Sequence, residues 1–518
     1  MPTPQRLLSL CMIVKNEERT LGDCLRSVRG VVDEMVIVDT GSTDRTVAIA
    51  ESYDAKVFHF TWNGSFSDAR NEALSHCTCP YVLYLDADER LEDRDRDRLR
   101  VLVGRPSFDV YELNVVSRKS EGKRVIRSSS DQARLFRRDP RYGFRYRIHE
   151  SILPSVREAN GRITKENITI HHVGYDASDE VMEQKKYRNY EQLVLDVREH
   201  PNDLFVLKKF AQTLMMLGRF GEAAEELAEI LVKIDAGDCG EVSLPRRAAF
   251  CNLYADALMK NDDFVGAHFW AHESLRSLKE QNTAHFYLTI INDELQQYDD
   301  ALFHLNSIVL QKKEGQVSVA EDEITPAPQD VCYKRASIYR AMKKPMDERQ
   351  ELAAALRLDP GMTAALYDLA ALMAREKNFA QALSLITKAL ETDPANGSIL
   401  HLRARILHLM ERKEEALHDA AAAFGRGEKV DPLLLFWIQT AKETGKESEA
   451  LPAYALMVER HPEAADVLMA YIQLLVQKKD IATALTAIDA SLPHIQDDAL
   501  CQVLRMIQGK LTFAEQVL

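Results

Sequence analysis

Residues 36–46, VIVDTGSTDRT, decide the fold class of the first part of this chain. Three β-branched residues in succession predict a buried strand, and the polar, glycine-containing run after Asp39 predicts a turn into a helix. Apolar runs like this one recur at residues 7–14, 56–60 and 81–85, and they alternate with helical periodicity at residues 18–28, 44–51 and 67–76. The alternation predicts an α/β domain with a mainly parallel sheet covered by helices on both faces.

From about residue 200 the sequence changes to an internal repeat. The pair Ala-Leu recurs at positions 382, 416, 450 and 484, always 34 residues apart, and a second alanine lies 12 positions earlier at Ala370 and Ala404. A small side chain at fixed spacing allows two helices to cross closely, so the pattern predicts a stack of helical hairpins. The spacing resembles that of tetratricopeptide repeats.

The two patterns divide the chain into an α/β domain at residues 1–190, an all-α repeat array of about eight hairpins at 191–496, and a capping helix at 497–518. Two breaks in the 34-residue period predict exposed loops at residues 235–244 and 312–328.

Composition excludes several classes of protein. A net charge of −14 argues against nucleic acid as a partner, because nucleic-acid binders depend on Lys and Arg to neutralise phosphates. The apolar run at residues 7–14 is too short to span a membrane and lacks a signal-peptide pattern, which predicts a cytoplasmic protein. Eight scattered cysteines are predicted to be buried thiols.

Three segments of the α/β part together resemble glycosyltransferase family 2, whose members have the nucleotide-binding GT-A fold. They are SLCMIVKNEE at residues 9–18, VIVDTGSTDRT at 36–46 and VLYLDADE at 82–89. Carboxylates at the carboxyl ends of strands are well placed for ligand contact in an open α/β sheet. The resemblance implies that Asp39 contacts the nucleotide base, that Glu17 lies near the ribose, and that the Asp-Ala-Asp segment holds the ribose and a divalent metal.

The full set of nucleotide-sugar contacts implied by the resemblance is Val14, Glu17, Asp39, Ser42, Asp44, Arg70 and Asp86. Some of these residues have simpler interpretations. Asp39 could be a turn residue or a helix cap, Asp44 could cap the following helix, and Arg70 could form a surface salt bridge instead of contacting phosphate.

The metal predicted by the resemblance is Mn²⁺ or Mg²⁺. Asp88 is the expected direct ligand, because hard cations prefer oxygen and bridge phosphates. His172 is a second candidate ligand, although a single histidine can equally be structural.

Segments QARLFR at residues 132–137, RIHE at 147–150 and HHVGY at 171–175 resemble a subgroup of these transferases that is often fused to tetratricopeptide repeats. Inverting transfer requires a base to accept the acceptor's proton. Glu150 is the candidate base, in place of the aspartate usual in the wider family, and Asp131 is the alternative.

The resulting prediction is an inverting, metal-dependent glycosyltransferase that uses a nucleoside diphosphate sugar, with a UDP-linked sugar as the expected donor, and a protein or peptide acceptor held by the repeats. Alternatives are a repeat scaffold with a vestigial transferase domain and a transferase acting on a cell-envelope glycan or lipid. A nucleotidyltransferase shares the sheet layout, but residues 15–18, KNEE, do not form the glycine-rich basic loop that it would need. Homo-oligomerisation through the exposed faces of the repeats is a further alternative.

Overall fold

The computed structural model describes residues 6–121, 124–173, 179–310 and 324–517. The described residues form two compact units, which divide between residues 279 and 280. The first unit therefore contains the sheet domain together with the first helices of the repeat region, whereas the sequence pattern places a boundary at residue 190.

The described residues of the first unit contain one eight-stranded sheet in the order β3-β2-β1-β4-β7-β6-β8-β5. Its strands are β1 Leu8–Val14, β2 Glu34–Asp39, β3 Lys56–His59, β4 Tyr81–Tyr84, β5 Glu89–Leu91, β6 Val110–Glu121, β7 Arg124–Arg137 and β8 Ile163–His172. Strand β1 lies between β2 and β4, and six of its seven residues are buried, which explains its uninterrupted apolar sequence.

The sheet is mixed. Strands β3, β2, β1 and β4 run parallel, as the alternating pattern predicts. Strands β6 and β8 also pair in parallel, and they run in the same direction as β4 because β7 is antiparallel to both β4 and β6. Only β7 and β5 run in the opposite direction, so six of the eight strands share one direction, as a mainly parallel sheet requires. The N-terminal domain is therefore α/β, with a parallel half that carries the predicted motifs.

Five helices accompany the sheet: α1 Leu21–Val28, α2 Thr46–Ser52, α3 Phe66–Ser75, α4 Arg96–Gly104 and α5 Leu153–Glu158. Their apolar residues follow helical spacing. In α1, the side chains of Leu21, Cys24, Leu25 and Val28 are buried against the sheet core.

Five further helices complete the first unit: α6 Asp179–Glu199, α7 Leu204–Met216, α8 Phe220–Ala236, α9 Leu244–Lys260 and α10 Phe264–Ser277. Helices α7 and α8 form one contacting pair, and α9 and α10 form the next. The loop predicted at residues 235–244 corresponds to the segment between α8 and α9, and most of its residues are exposed.

The second unit is helical in its described residues. Its helices are α11 Asn282–Glu294, α12 Tyr298–Asn306, α13 Pro328–Ala341, α14 Pro345–Leu358, α15 Thr363–Arg375, α16 Phe379–Thr392, α17 Gly397–Leu409, α18 Lys413–Gly425, α19 Asp431–Glu443, α20 Leu451–Arg460, α21 Ala465–Gln477, α22 Ile481–Ser491 and α23 Asp498–Val517. They pair consecutively from α11 with α12 to α21 with α22, and α23 follows. Most of the loop predicted at residues 312–328 lies outside the described residues.

The periodic alanines lie where neighbouring helices approach each other. Ala370 and Ala404, in the first helices of their pairs, are fully buried, as are Ala382 and Ala416 in the second helices. Glu348 stands where the repeat would have a small residue. Its carboxylate is buried and accepts a 2.7 Å hydrogen bond from Arg340 Nε, which satisfies its charge.

None of the helices that the structure describes combines the length and hydropathy needed to cross a membrane.

Candidate functional site

The carboxyl ends of β1, β2 and β4 lie at one edge of the sheet because these three strands are parallel neighbours. The loops that follow them carry the three motifs found in the sequence. A cavity of about 740 Å³ opens at this edge. It is therefore the candidate active site.

Seven of the residues predicted to form the site line this cavity, namely Val14, Glu17, Arg70, Asp86, Asp88, Glu150 and His172. The remaining lining residues are Ile13, Lys15, Thr40, Trp62, Phe66, Ala87, Ile148, His149, Lys185, Arg188 and Asn189. Four predicted residues, Asp39, Ser42, Asp44 and Asp131, are not among the lining residues.

Asp39 and Asp44 hold the loop after β2. The buried Asp39 carboxylate accepts hydrogen bonds from the backbone N–H groups of Gly41 and Ser42, at 3.1 Å from each. Burial opposes ionisation of Asp39, but the hydrogen bonds from Ser42 and Gly41 outweigh it and lower the pKa of this carboxyl. Asp44 accepts from the N–H of Thr46 at 2.9 Å, in the turn that leads into α2. It is not the helix cap considered from the sequence, because Arg45 occupies the N-cap position.

The loops after β1 and β2 are tied together. Asn16 has a positive φ of 56°, and its side chain accepts a 2.8 Å hydrogen bond from the N–H of Thr43, while its own N–H donates to Ser42 Oγ. Ser42 thus shapes the loop that presents Glu17. The Glu17 carboxylate accepts from Thr20 Oγ1 at 2.7 Å, and burial is the main cause that raises its pKa.

Arg70 joins two acidic residues of the site. Its Nη2 donates to Asp86 Oδ1 at 2.7 Å and its Nε donates to Glu150 Oε1 at 2.6 Å. Arg70 is only 6% exposed. Arg70 therefore forms buried salt bridges instead of the surface salt bridge considered from the sequence. Its guanidinium is already paired with two carboxylates.

A second buried arginine, Arg134 on β7, lies on the other side of Asp86. Its Nη2 donates to Glu89 Oε1 at 2.6 Å and approaches Asp86 Oδ2 at 3.4 Å, and its guanidinium carbon lies 4.2 Å from the centre of the Tyr84 ring. Burial raises the pKa of Asp86, but the charges of Arg70 and Arg134 outweigh this effect and hold it below its usual range. Burial and the charge of Asp86 raise the pKa of Glu89 to about 7.

Asp88 and His172 meet because of the short strand β5. Residue Glu89 pairs with His172 across β5 and β8, and His172 Nδ1 lies 3.4 Å from Asp88 Oδ1. The hydrogen bond to Asp88 raises the pKa of His172. The described residues contain no group of three or more His, Cys, Asp or Glu side chains arranged around a metal position.

Asp131, the alternative base, lies on β7, and its carboxylate pairs with Lys165 Nζ at 2.8 Å. Its side chain is 39% exposed and lies outside the cavity lining. His171, which precedes the candidate metal ligand His172, is paired with Glu92 at 2.6 Å. Gly174 and Tyr175, the end of the motif at residues 171–175, lie outside the described residues.

Several cavity residues and one buried neighbour were given no role in the sequence analysis. Trp62, Lys185 and Arg188 line the cavity, and Arg134 lies beneath it. Arg134 had a detectable signal, since a lone arginine interrupts the apolar run of residues 133–136 in β7. Lys185 and Arg188 lie on an exposed stretch of α6, where charged residues are ordinary, and so gave none.

Comparisons with known proteins match the two parts of the chain to two families. The model of glycosyl transferase family 2 matches residues 9–156, and a tetratricopeptide repeat model matches residues 349–406. The lipopolysaccharide core biosynthesis glycosyltransferase LpsC of Rhizobium meliloti is 31% identical over 198 residues, which are 36% of this chain and 70% of that protein.

Two other relatives match over similar lengths. A TPR repeat-containing protein of Synechococcus elongatus is 35% identical over 217 residues, 41% of this chain and 53% of that protein. The SPbeta prophage-derived glycosyltransferase SunS of Bacillus subtilis is 25% identical over 221 residues, 42% of this chain and 51% of that protein. The chain thus spans about half the length of these two relatives.

Proposed function

The chain belongs to glycosyl transferase family 2 and carries tetratricopeptide repeats, and on that premise we propose that it moves a sugar from a nucleoside diphosphate sugar to an acceptor with inversion at the anomeric carbon. The observation that carries the proposal is the convergence of Glu17, Asp88, Glu150 and His172, from four separate segments, on one cavity. A uridine diphosphate sugar is the proposed donor.

The proposed reaction is a single displacement. The acceptor's nucleophilic atom attacks the anomeric carbon, the bond from that carbon to the diphosphate oxygen breaks, and the nucleoside diphosphate leaves with the electron pair. Glu150 is the proposed base that accepts the acceptor's proton, because it lines the cavity and has one carboxylate oxygen not engaged by Arg70. Asp131 is less suited, since its carboxylate pairs with Lys165 outside the cavity.

The residues of this site fit a divalent cation that is coordinated by the protein and the substrate together. Asp88 and His172 offer one carboxylate and one imidazole within 3.4 Å of each other, and Mg²⁺ is commonly held by one or two protein carboxylates together with substrate phosphates. Such a cation, when bound, would stabilise negative charge on the departing diphosphate. Asp86 has a different role in this proposal: the two arginines keep it ionised and fixed beside the nucleotide.

The test of the enzymatic proposal uses the full chain and a panel of nucleotide sugars. We expect release of nucleoside diphosphate from at least one of them, and we expect Asp88→Asn to reduce it at least about 100-fold. Asp93→Asn is the matched control because Asp93 is exposed and outside the cavity. Equal rates in the intact chain and in Asp88→Asn would favour a scaffold with a vestigial transferase domain.

A protein or peptide is the proposed acceptor, because stacked helical hairpins form extended binding surfaces. Within the second unit, a cavity of about 420 Å³ on α13, α15 and α17 is lined by Arg375, Leu402, Arg405 and Leu409, among others. A third lining arginine, Arg340, is paired with Asp368, so Arg375 and Arg405 supply the excess positive charge. This combination of apolar and cationic side chains suits an extended peptide with acidic residues.

A glycan or lipid acceptor is the second candidate, and the likeness to LpsC favours it. An experiment with labelled donor distinguishes the two acceptor classes. The enzyme and the donor are incubated in parallel with a protein fraction and with a glycolipid fraction. Arg375→Glu with Arg405→Glu should abolish labelling of protein and leave donor hydrolysis unchanged. Lys388→Glu on α16, which is exposed and outside this cavity, is the control for each single charge reversal. Label in the glycolipid fraction that is insensitive to these changes would reject the peptide proposal.

A further inference from the structure

Helix α6 is held against the sheet domain along one of its faces. Near its end, the buried Asp196 carboxylate accepts hydrogen bonds from the backbone N–H and the guanidinium of Arg147, at 3.0 and 3.1 Å. Arg147 also forms two short bonds with Glu199, at 2.5 and 2.6 Å. A backbone N–H at a fixed position in the loop before Glu150 therefore sets where α6 lies.

The same face continues towards the start of α6. The side-chain amide of Gln192 lies against Gly64, where a Cβ would come within 3.3 Å of it. One turn earlier, the Arg188 guanidinium carbon lies 5.5 Å from the centre of the Phe66 ring. Residues 188, 192, 196 and 199 are three or four positions apart and so share one side of the helix.

This docking brings two cations to the cavity. Lys185 and Arg188 both line it, and no carboxylate of the described residues forms an ion pair with either of them. Arg70, in contrast, already contacts Asp86 and Glu150. The α6 cations consequently have positive charge available for a ligand, whereas that of Arg70 is compensated.

We infer that Lys185 and Arg188 bind the diphosphate of the nucleotide-sugar donor, so that α6 completes the donor site of the transferase domain. This inference rests on the proposed function. The sugar and the base of a common donor such as a uridine diphosphate hexose are neutral, and its charge lies on the diphosphate. When the bond to the anomeric carbon breaks, the electron pair passes to a diphosphate oxygen, and cations fixed beside it stabilise the added charge.

The geometry also separates the charges within the cavity. Glu17 and Asp88 follow strand ends of the sheet, while Lys185 and Arg188 come from the helix. A diphosphate bound between the two groups would contact Lys185 and Arg188 directly. Its contact with the carboxylates on the sheet would be made through the metal ion. Two cations supplied by the helix would thus act together with the metal instead of replacing it.

The experiment measures dissociation constants of the full chain for uridine, guanosine, adenosine, cytidine and thymidine diphosphates, and for the matching monophosphates, by titration calorimetry. Lys185→Gln with Arg188→Gln should lower the preference for diphosphate over monophosphate by about 10- to 100-fold, because charge-assisted contacts to the second phosphate are lost. Lys186→Gln with Arg198→Gln is the matched control: it removes the same two charges from the same helix, and neither residue lines the cavity. The charge-preserving pair Lys185→Arg with Arg188→Lys should keep most of the preference.

The outcomes are distinguishable. If the neutral double variant keeps the diphosphate preference, or weakens diphosphate and monophosphate equally, the assignment is overturned while the transferase proposal stands. If no nucleoside diphosphate binds the unmodified chain, both the transferase proposal and the assignment of Lys185 and Arg188 are rejected. Thermal unfolding of each variant shows whether the helix remains folded.

Discussion

Arg70 Nε donates a 2.6 Å hydrogen bond to Glu150 Oε1, joining residues that are 80 positions apart in the chain. The bond fixes Glu150 over the same guanidinium that holds Asp86. It leaves Glu150 Oε2 as the oxygen that could face an acceptor. Because buried ion pairs fix orientation through several directed contacts, the candidate base and the nucleotide-side aspartate share one positioning residue.

Glu150→Gln should lower the rate of transfer by about 10²- to 10⁴-fold, because the amide cannot accept the acceptor's proton. Donor affinity should change by less than about threefold, because the amide preserves the shape of the side chain and an oxygen that can accept from Arg70. Steady-state rates together with calorimetric donor binding measure the two effects. Asp131→Asn is the control. A larger loss of transfer rate in Asp131→Asn than in Glu150→Gln would identify Asp131 as the base in place of Glu150.

His172→Ala should raise the Mn²⁺ or Mg²⁺ concentration needed for half-maximal transfer by at least about tenfold, because it removes one of two proposed protein ligands. His171→Ala is a closely matched control, since the preceding histidine pairs with Glu92 instead of Asp88. Metal titrations after treatment with a chelator provide the measurement. An unchanged metal requirement in His172→Ala would remove His172 from the proposed metal site.

Glu34→Gln should destabilise the sheet domain near neutral pH. The buried Glu34 carboxylate accepts hydrogen bonds from Ser9 Oγ and the N–H of Thr78, both at 2.6 Å, and from Lys56 Nζ at 3.0 Å. Burial opposes ionisation, but these bonds outweigh it and lower the pKa of Glu34 to about 2.

A lowered pKa in the folded state contributes stability above the unfolded pKa, and this contribution is lost as the pH falls towards 2. We therefore expect unfolding free energies that differ by about 2–3 kcal/mol between the unmodified chain and Glu34→Gln at pH 7, and by progressively less below pH 4.5. Urea titrations from pH 7 to pH 3.5 measure this difference, with the exposed Glu51→Gln as control. A difference that is independent of pH would contradict the argument.

Ala382→Leu should destabilise the repeat array by about 1–3 kcal/mol, because a larger side chain at a fully buried helix crossing forces the backbones apart. Ala380→Leu, two residues earlier on α16 and exposed, should change stability by less than about 0.5 kcal/mol. Thermal unfolding followed by circular dichroism compares the two variants. Equal stabilities would show that the periodic alanines do not limit the approach of the helices.

The sequence by itself determined the α/β class, the four parallel strands and the repeat architecture, because each depends on local periodicity. Burial on both faces imposes an uninterrupted apolar run on β1, and close helix crossings impose small residues such as Ala382 and Ala416. The strand-end carboxylates Asp86 and Asp88 were also predictable, since the end of a strand is a local feature.

Only the tertiary structure decided which side chains meet. The antiparallel pairing of β5 with β8 brings His172 to Asp88, and the docking of α6 on Arg147 brings Lys185 and Arg188 to the cavity. The partners in each case are separated by tens of residues, so their contact follows from strand register and helix placement, which depend on the free energy of the whole assembled domain and leave no periodic pattern in the sequence.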